Sequence, residues 1–336
     1  MTVSRRLDRW RRYLTADHHQ LDRRGVLVFV VTGAILAAAA TVGLVWAAGP
    51  RAVVHEARHA TYGWLLLAAA GAAASYVGYL LAYREVARAE GGPRLSASRA
   101  LAVVVTGFGI VVPRGGFAID SAELAQHGLS EAEARQRVTN LAVLEYAVLA
   151  PATFAAAVVL LVRHTPAQSG LLPSWVIGVP VGTAVTAGLV LWRRRIARRG
   201  PVRERLHRGL EAVAATLRML RRPAGVIAAG GMALYWAGDI TTLWACLATF
   251  DGSPSVAVLI VGYATGYALT RRSLPLGGAG AVEALLPFAL SWVSVHLAAA
   301  VLAVVVYRLF NVWLIVGPAA AGLRHLRRRR PVPQRA

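Results

Sequence analysis

Two groups of residues in this chain of 336 have types and spacing that suit chemistry. The first is His55, Glu56 and His59, an H-E-x-x-H run. On a helix that spacing sets two imidazoles on one face beside a carboxylate, as in zinc peptidases. The second is a set of ionisable residues in or beside apolar sequence. Glu145, Asp239, Glu283 and Arg308 lie within it, and Asp120, Arg114, Arg271 and Arg272 lie at proline–glycine breaks. A charge at the centre of a bilayer costs roughly 2.5–3.5 kcal/mol on insertion scales, so each needs a partner or a water-filled cavity. Such residues suit a polar route for a lipid headgroup, arginines attracting phosphate and carboxylates attracting a cationic group or balancing the arginines. They equally suit a structural ion pair, such as Glu145 with Arg308.

The elements that must position these residues are apolar. Hydrophobic residues make up 57% of the chain and its mean hydropathy is +0.52. Six runs are long enough to cross a bilayer, which takes roughly 20 residues: 25–48, 61–83, 139–162, 173–192, 223–250 and 296–323. The alternating short segments of a transmembrane barrel are absent. The predicted fold class is therefore an all-α polytopic membrane protein. Its 24 leading residues are polar and arginine-rich, and the run after them is too long for a cleavable signal core. Cys246 is the single cysteine, which excludes an intrachain disulfide and a multi-cysteine zinc site.

Formal net charge is +21, and all 37 basic residues are arginine. Seven lie in residues 1–24, eleven in 193–222 and six after Leu323, which the positive-inside rule makes cytoplasmic. The connections 49–60 and 163–172 hold only Arg51, Arg58 and Arg163 and are expected outside. Clustering where helices leave the membrane argues against a nucleic-acid partner. Segments 5–24 (Leu7, Trp10, Leu14) and 193–222 (Ile196, Leu206, Leu210, Val213, Leu217) read as basic amphipathic helices on an anionic leaflet.

Two further runs, 99–112 and 255–270, are too short to span and end at breaks of one pattern, P-x-G-G. Pro113, Gly115 and Gly116 form the first; Pro275, Gly277 and Gly278 form the second. A charge sits 32 residues beyond Pro113 (Glu145) and 33 beyond Pro275 (Arg308). Each half then reads as two spans, a re-entrant broken hairpin and a charged span, in opposite orientations, as in many secondary transporters. The expected organisation is a basic segment 1–24, membrane repeats 25–162 and 163–323, and a basic tail 324–336. The glycine-rich breaks, Gly280 included, offer close backbone approach and free N–H groups for phosphate.

"SLPLGGAGAVEALLPFAL" followed by "VVVYRLFNVWL" resembles the lysylphosphatidylglycerol synthase transmembrane family. Gly277, Gly278, Gly280 and Glu283 carry the most specific part, with Tyr307 and Arg308 next. "PRGGFAIDSAELAQHGLSEAEA" and "LEYAVLAPA" match the first-half counterparts. One departure is Leu276, where many members place a proline directly before the glycine pair. The resemblance implies the lipid-flipping membrane half of multiple-peptide-resistance factors or a stand-alone relative. Synthases of the family carry a soluble aminoacyltransferase domain after the membrane part, whereas this sequence stops at "RHLRRRRPVPQRA", so synthase activity is not expected.

The expected function is a lipid translocase with membrane lipids as partners: an anionic or aminoacylated phospholipid, or a polyprenyl-phosphate-linked lipid. No cofactor or metal is expected, and a homo-oligomer is left open. The alternative is a membrane-embedded enzyme acting on lipid or peptide through the H-E-x-x-H run. That run lies in a short connection at the membrane rim, where surface histidines are the simpler account. The expected location is the bacterial cytoplasmic membrane, both termini inside.

Overall fold

The computed structural model describes residues 23–109, 116–168, 170–193, 201–250, 252–266 and 275–328, and these are helical throughout, without a strand among them. In chain order they form α1 (Arg23–Ala48), α2 (Pro50–Arg58), α3 (Trp64–Arg88), α4 (Ala97–Phe108), α5 (Gly116–Gln126), α6 (Glu131–Val162) and α7 (Leu171–Trp192). Then follow α8 (Pro201–Leu220), α9 (Pro223–Thr249), α10 (Val256–Gly266), α11 (Ala281–Ser291), α12 (Leu297–Arg308) and α13 (Val316–Arg328). Six helices, counting α12 and α13 as one, are long and apolar enough to cross a membrane. Helices α4, α10 and α11 are apolar but too short to do so.

Local sequence explains several boundaries. Helix α6 starts well before its apolar run because Ser130 and Glu133 cap it reciprocally: the Ser130 hydroxyl accepts the Glu133 N–H (3.3 Å) and the Glu133 carboxylate accepts the Ser130 N–H (2.9 Å). Pro223 opens α9 at a position where its missing N–H costs nothing. The connection expected at 49–60 contains a helix, α2, whose Val53 is buried.

The most extensive helix contact is the crossing of α3 and α9. A β-carbon on Gly71 would lie 2.7 Å from the Gly238 carbonyl oxygen, and one on Gly78 would lie 2.5 Å from that of Gly231. Only glycine permits backbones this close, and small residues are how helices attract one another where no hydrophobic effect operates. The Thr242 hydroxyl donates across the same crossing to the Ala68 carbonyl (3.2 Å).

Around this pair, α4 packs on α5 and α10 on α11; α5 continues against α6, and α11 against α12. Helix α8 lies on α6, α7 and α9 with Leu210, Ala212, Ala214 and Met219 buried and Leu206 and Leu217 exposed. This is the amphipathic helix expected in 193–222; Ile196 and the basic segment 5–24, except Arg23 and Arg24, lie outside the described residues.

The last apolar run forms one candidate span, Leu297–Leu326, but its winding changes: directly after Arg308 the chain widens into a π turn, Leu309–Trp313, before α13 resumes. The Tyr76 hydroxyl donates to the Asn311 carbonyl (3.1 Å), supplying a donor where the helical ladder is interrupted. Helix α13 then packs on α4, with the Thr106 hydroxyl on the Ala319 carbonyl (3.3 Å). π turns are rare and recur at functional positions.

Candidate functional site

Glu283 is the third residue of α11, and the preceding turn is made by Gly277 (φ 59°), Gly278 (φ 70°) and Gly280 (φ 84°), left-handed conformations suited to glycine. One carboxylate oxygen of Glu283 accepts the Gly280 N–H (2.7 Å), placing negative charge at the positive end of α11. The other accepts from Nε of Arg308 at 2.7 Å. A second guanidinium nitrogen of Arg308 donates to the Gly277 carbonyl (2.8 Å). Arg308 is 1% and Glu283 3% exposed, so this is a fully buried ion pair fixed at both ends by the glycine turn. Removing one partner of such a pair costs about 3–5 kcal/mol, because the other charge is left buried alone.

The pair is part of the lining of an open cavity of about 430 Å³. Its other wall is α1, which contributes Ala34, Ala37, Ala38, Thr41 and Val42. Small, apolar side chains on one side and a buried guanidinium–carboxylate pair on the other give it two chemically distinct sides.

Tyr307, the neighbour of Arg308, faces the other way. Its hydroxyl donates to Asp239 of α9 (2.7 Å), and Tyr263 of α10 donates to the same carboxylate oxygen. Asp239 is fully buried, and the two phenolic donors satisfy that oxygen. Asp120 of α5 is also fully buried; the Tyr79 hydroxyl approaches its carboxylate at 3.5 Å and the Tyr83 hydroxyl its carbonyl at 3.2 Å. Tyr79, Tyr235, Trp236 and Tyr263 stack edge-on or tilted in sequence, so an aromatic layer runs between the two aspartates.

The structure thus brings Gly277, Gly278, Gly280, Glu283 and Arg308 together, with Tyr307 and Asp239 behind them. It does not pair Glu145 with Arg308. Helix α9 separates the two spans: Trp236 donates its indole N–H to the Glu145 carbonyl (2.9 Å), while Asp239 on the same helix meets Tyr307. Gly116 is buried at the start of α5. Arg114, Gly115, Arg271 and Arg272 lie outside the described residues.

Sequence reading missed the tyrosines 79, 83 and 263 and the pair Arg99–Glu123, which joins α4 to α5. A tyrosine within an apolar run signals a buried hydroxyl in need of a partner, and that signal was available. The H-E-x-x-H residues sit on or at the end of α2, the two imidazole rings 4.5 Å apart, with the His59 ring nitrogen on the His55 carbonyl at 2.9 Å. No third histidine, cysteine or carboxylate joins them into a metal-binding group among the described residues.

Comparison with known families gives one match: the model of the lysylphosphatidylglycerol synthase TM region covers residues 29–319. No curated protein matches the chain.

Proposed function

We propose that this chain, which belongs to the lysylphosphatidylglycerol synthase TM-region family, is a translocase that moves a lipid headgroup past the Glu283–Arg308 pair. Membership and the six apolar helices make it a multi-pass membrane protein with a lipid-related role. The observation that carries the finer reading is the open cavity between α1 and α12, apolar along one wall and lined on the other by a buried ion pair.

That arrangement suits exchange of partners. A lipid phosphate entering the cavity would replace the Glu283 carboxylate on the Arg308 guanidinium, whose planar donors fit phosphate oxygens. The released Glu283 would then take a cationic part of the headgroup, such as an aminoacyl ammonium. With an aminoacylated headgroup neither charge is left bare, which keeps the barrier low in an apolar surround; with an anionic headgroup that has no cation, Glu283 keeps the Gly280 N–H. Acyl chains would stay against α1 and the lipid beyond it. The substrate class is therefore an anionic or aminoacylated phospholipid, with a polyprenyl-phosphate-linked lipid as the wider alternative. Transport of this kind needs no catalytic residue.

We also propose an inverted repeat with two re-entrant hairpins, an arrangement that would suit the same reading. Gly71 and Gly231 are 160 residues apart, as are Gly78 and Gly238; Pro113 and Pro275 are 162 apart, and Glu145 and Arg308 are 163 apart. Gly71 meets Gly238 and Gly78 meets Gly231, so exchanging the halves maps one contact onto the other, the mark of a two-fold relation. The positive-inside rule places the termini in the cytoplasm.

The test is reconstitution into liposomes carrying head-labelled phosphatidylglycerol, lysyl-phosphatidylglycerol or a polyprenyl phosphate. Faster loss of protection of one labelled lipid than in protein-free liposomes is expected. Rates equal to protein-free liposomes for every lipid would overturn the proposal.

A further inference from the structure

A second cavity, of about 480 Å³, lies away from the ion pair, where α3, α6 and α9 end against α8. Its walls carry Arg88, Arg94, Arg137, Arg218 and Arg222 against a single carboxylate, Glu90. The five come from separate places: the turn after α3, the first turns of α6, the end of α8 and the cap of α9.

The geometry of the turn explains why they converge. Glu90 is left-handed (φ 51°), as is Gly91 (φ 79°), and this reversal brings Arg88 and Arg94 to one cavity. Glu90 itself holds Arg137 at 3.2 Å, and Arg88 is paired with Glu85. Arg94, Arg218 and Arg222 have no carboxylate at ion-pair distance among the described residues, and all three are exposed. The cavity also receives the first turn of α9, with Ala224 on its wall; the positive end of that helix adds to the field. Arginines of a merely solvated face would spread apart, whereas these line a concave space of ligand size.

We propose that this cavity is a binding site for a phosphate-bearing anion, filled in the membrane by the headgroup of an anionic phospholipid. Guanidinium forks match phosphate oxygens, and several together outbid the one carboxylate present. Helix α8 supports the lipid source: Leu217 is exposed beside the cavity-lining Arg218, and farther along the helix Leu206 is exposed among Arg203, Arg205 and Arg208, the mix of apolar and basic side chains found on helices that lie in the interface. A soluble phosphate compound offers the same chemistry. The site is separate from the Glu283–Arg308 pair and stands whether or not that pair moves lipid.

The test uses the full chain in a non-ionic detergent, titrated with short-chain phosphatidylglycerol, short-chain phosphatidylcholine or inorganic pyrophosphate, and read by thermal unfolding. Three proteins are compared: wild type, Arg94→Gln/Arg218→Gln/Arg222→Gln, and a control with exposed arginines changed elsewhere, Arg163→Gln/Arg324→Gln. Because lipid at the other cavity would also raise the midpoint, the readout is the difference between triple variant and control. Phosphatidylglycerol should bind the triple variant at least about tenfold more weakly than the control, from loss of charge-assisted bonds. Phosphatidylcholine should not distinguish them. Pyrophosphate that competes with the lipid assigns the site to soluble phosphates as well; pyrophosphate that fails to compete assigns it to lipid alone. Equal phosphatidylglycerol affinity in triple variant and control would overturn the proposal. The unliganded unfolding midpoint shows that the triple variant is folded; should it not be, Arg218→Gln and Arg222→Gln singly give the same comparison at smaller amplitude.

Discussion

The two short-helix hairpins share a sequence pattern and use their charges differently. In the first, α4 and α5 are tied to each other: Arg99, near the start of α4, pairs with Glu123, near the end of α5. The pair sits far from the proline–glycine break and closes the hairpin on itself. In the second, Glu283 stands at the break and pairs outward, with Arg308 of the following span. One hairpin is stapled at its base, and the other is latched by its tip. The latch at the glycine turn lies beside an open cavity, where the proposed exchange of partners would take place. Among the described residues, one charge pair ties the two helices of a hairpin together and the other ties a hairpin to its neighbouring span.

The comparison breaks most sharply at the latch. Glu283→Gln or Arg308→Gln alone should lower stability by about 3–5 kcal/mol, the cost of orphaning a buried charge. The double change should recover much of that loss in detergent unfolding. Independent, additive losses would show that the two residues do not depend on each other.

Next in size is the crossing on which both hairpins hang. Gly78→Val places side-chain atoms where a β-carbon already meets the Gly231 carbonyl oxygen at 2.5 Å. Overpacking of this kind costs roughly 1–3 kcal/mol, and unfolding in detergent should report it. An unchanged midpoint would mean the helices are further apart than described here.

The staple should matter less, and only for stability. Arg99 keeps 14% of its side chain exposed, so water softens the loss when its partner is removed. Glu123→Gln should lower the unfolding midpoint less than Glu283→Gln and leave lipid movement at the wild-type rate. Loss of lipid movement in a folded Glu123→Gln protein would erase the distinction between the hairpins.

Smallest of all is the short helix α2. His55→Ala with His59→Ala should change neither the unfolding midpoint nor lipid movement, since both side chains are exposed. A stoichiometric zinc in wild-type protein, lost from the double variant, would instead make this run a metal site.

Much of the fold was legible because membrane spans write themselves as apolar length. The spans, the two breaks and the membership of Glu283 and Arg308 in one polar site all follow from where apolar sequence is interrupted. The partner of Arg308 did not follow. Matching offsets from Pro113 and Pro275 suggested Glu145, but pairing is decided by which helices touch, and α9 stands between α6 and α12. The role of Glu283 as a helix-end carboxylate did not follow either, because the start of α11 at Ala281 is set by the fold of the glycine turn. The π turn after Arg308 was invisible because its stabilising donor, Tyr76, lies 235 residues away in sequence. The Asp239 site was half legible: the aspartate and Tyr307 stood out, while the second donor, Tyr263, looked like an ordinary apolar-run residue until the helices were assembled.

The most direct test of the central claim is the double variant Glu283→Gln/Arg308→Gln in liposomes, with head-labelled phosphatidylglycerol and lysyl-phosphatidylglycerol. Having no charge to orphan, it should fold nearly as well as wild type. Having no guanidinium for phosphate, it should move lipid no faster than protein-free liposomes. A folded double variant that moves either lipid at the wild-type rate would show that the ion pair is structural and that the headgroup travels elsewhere.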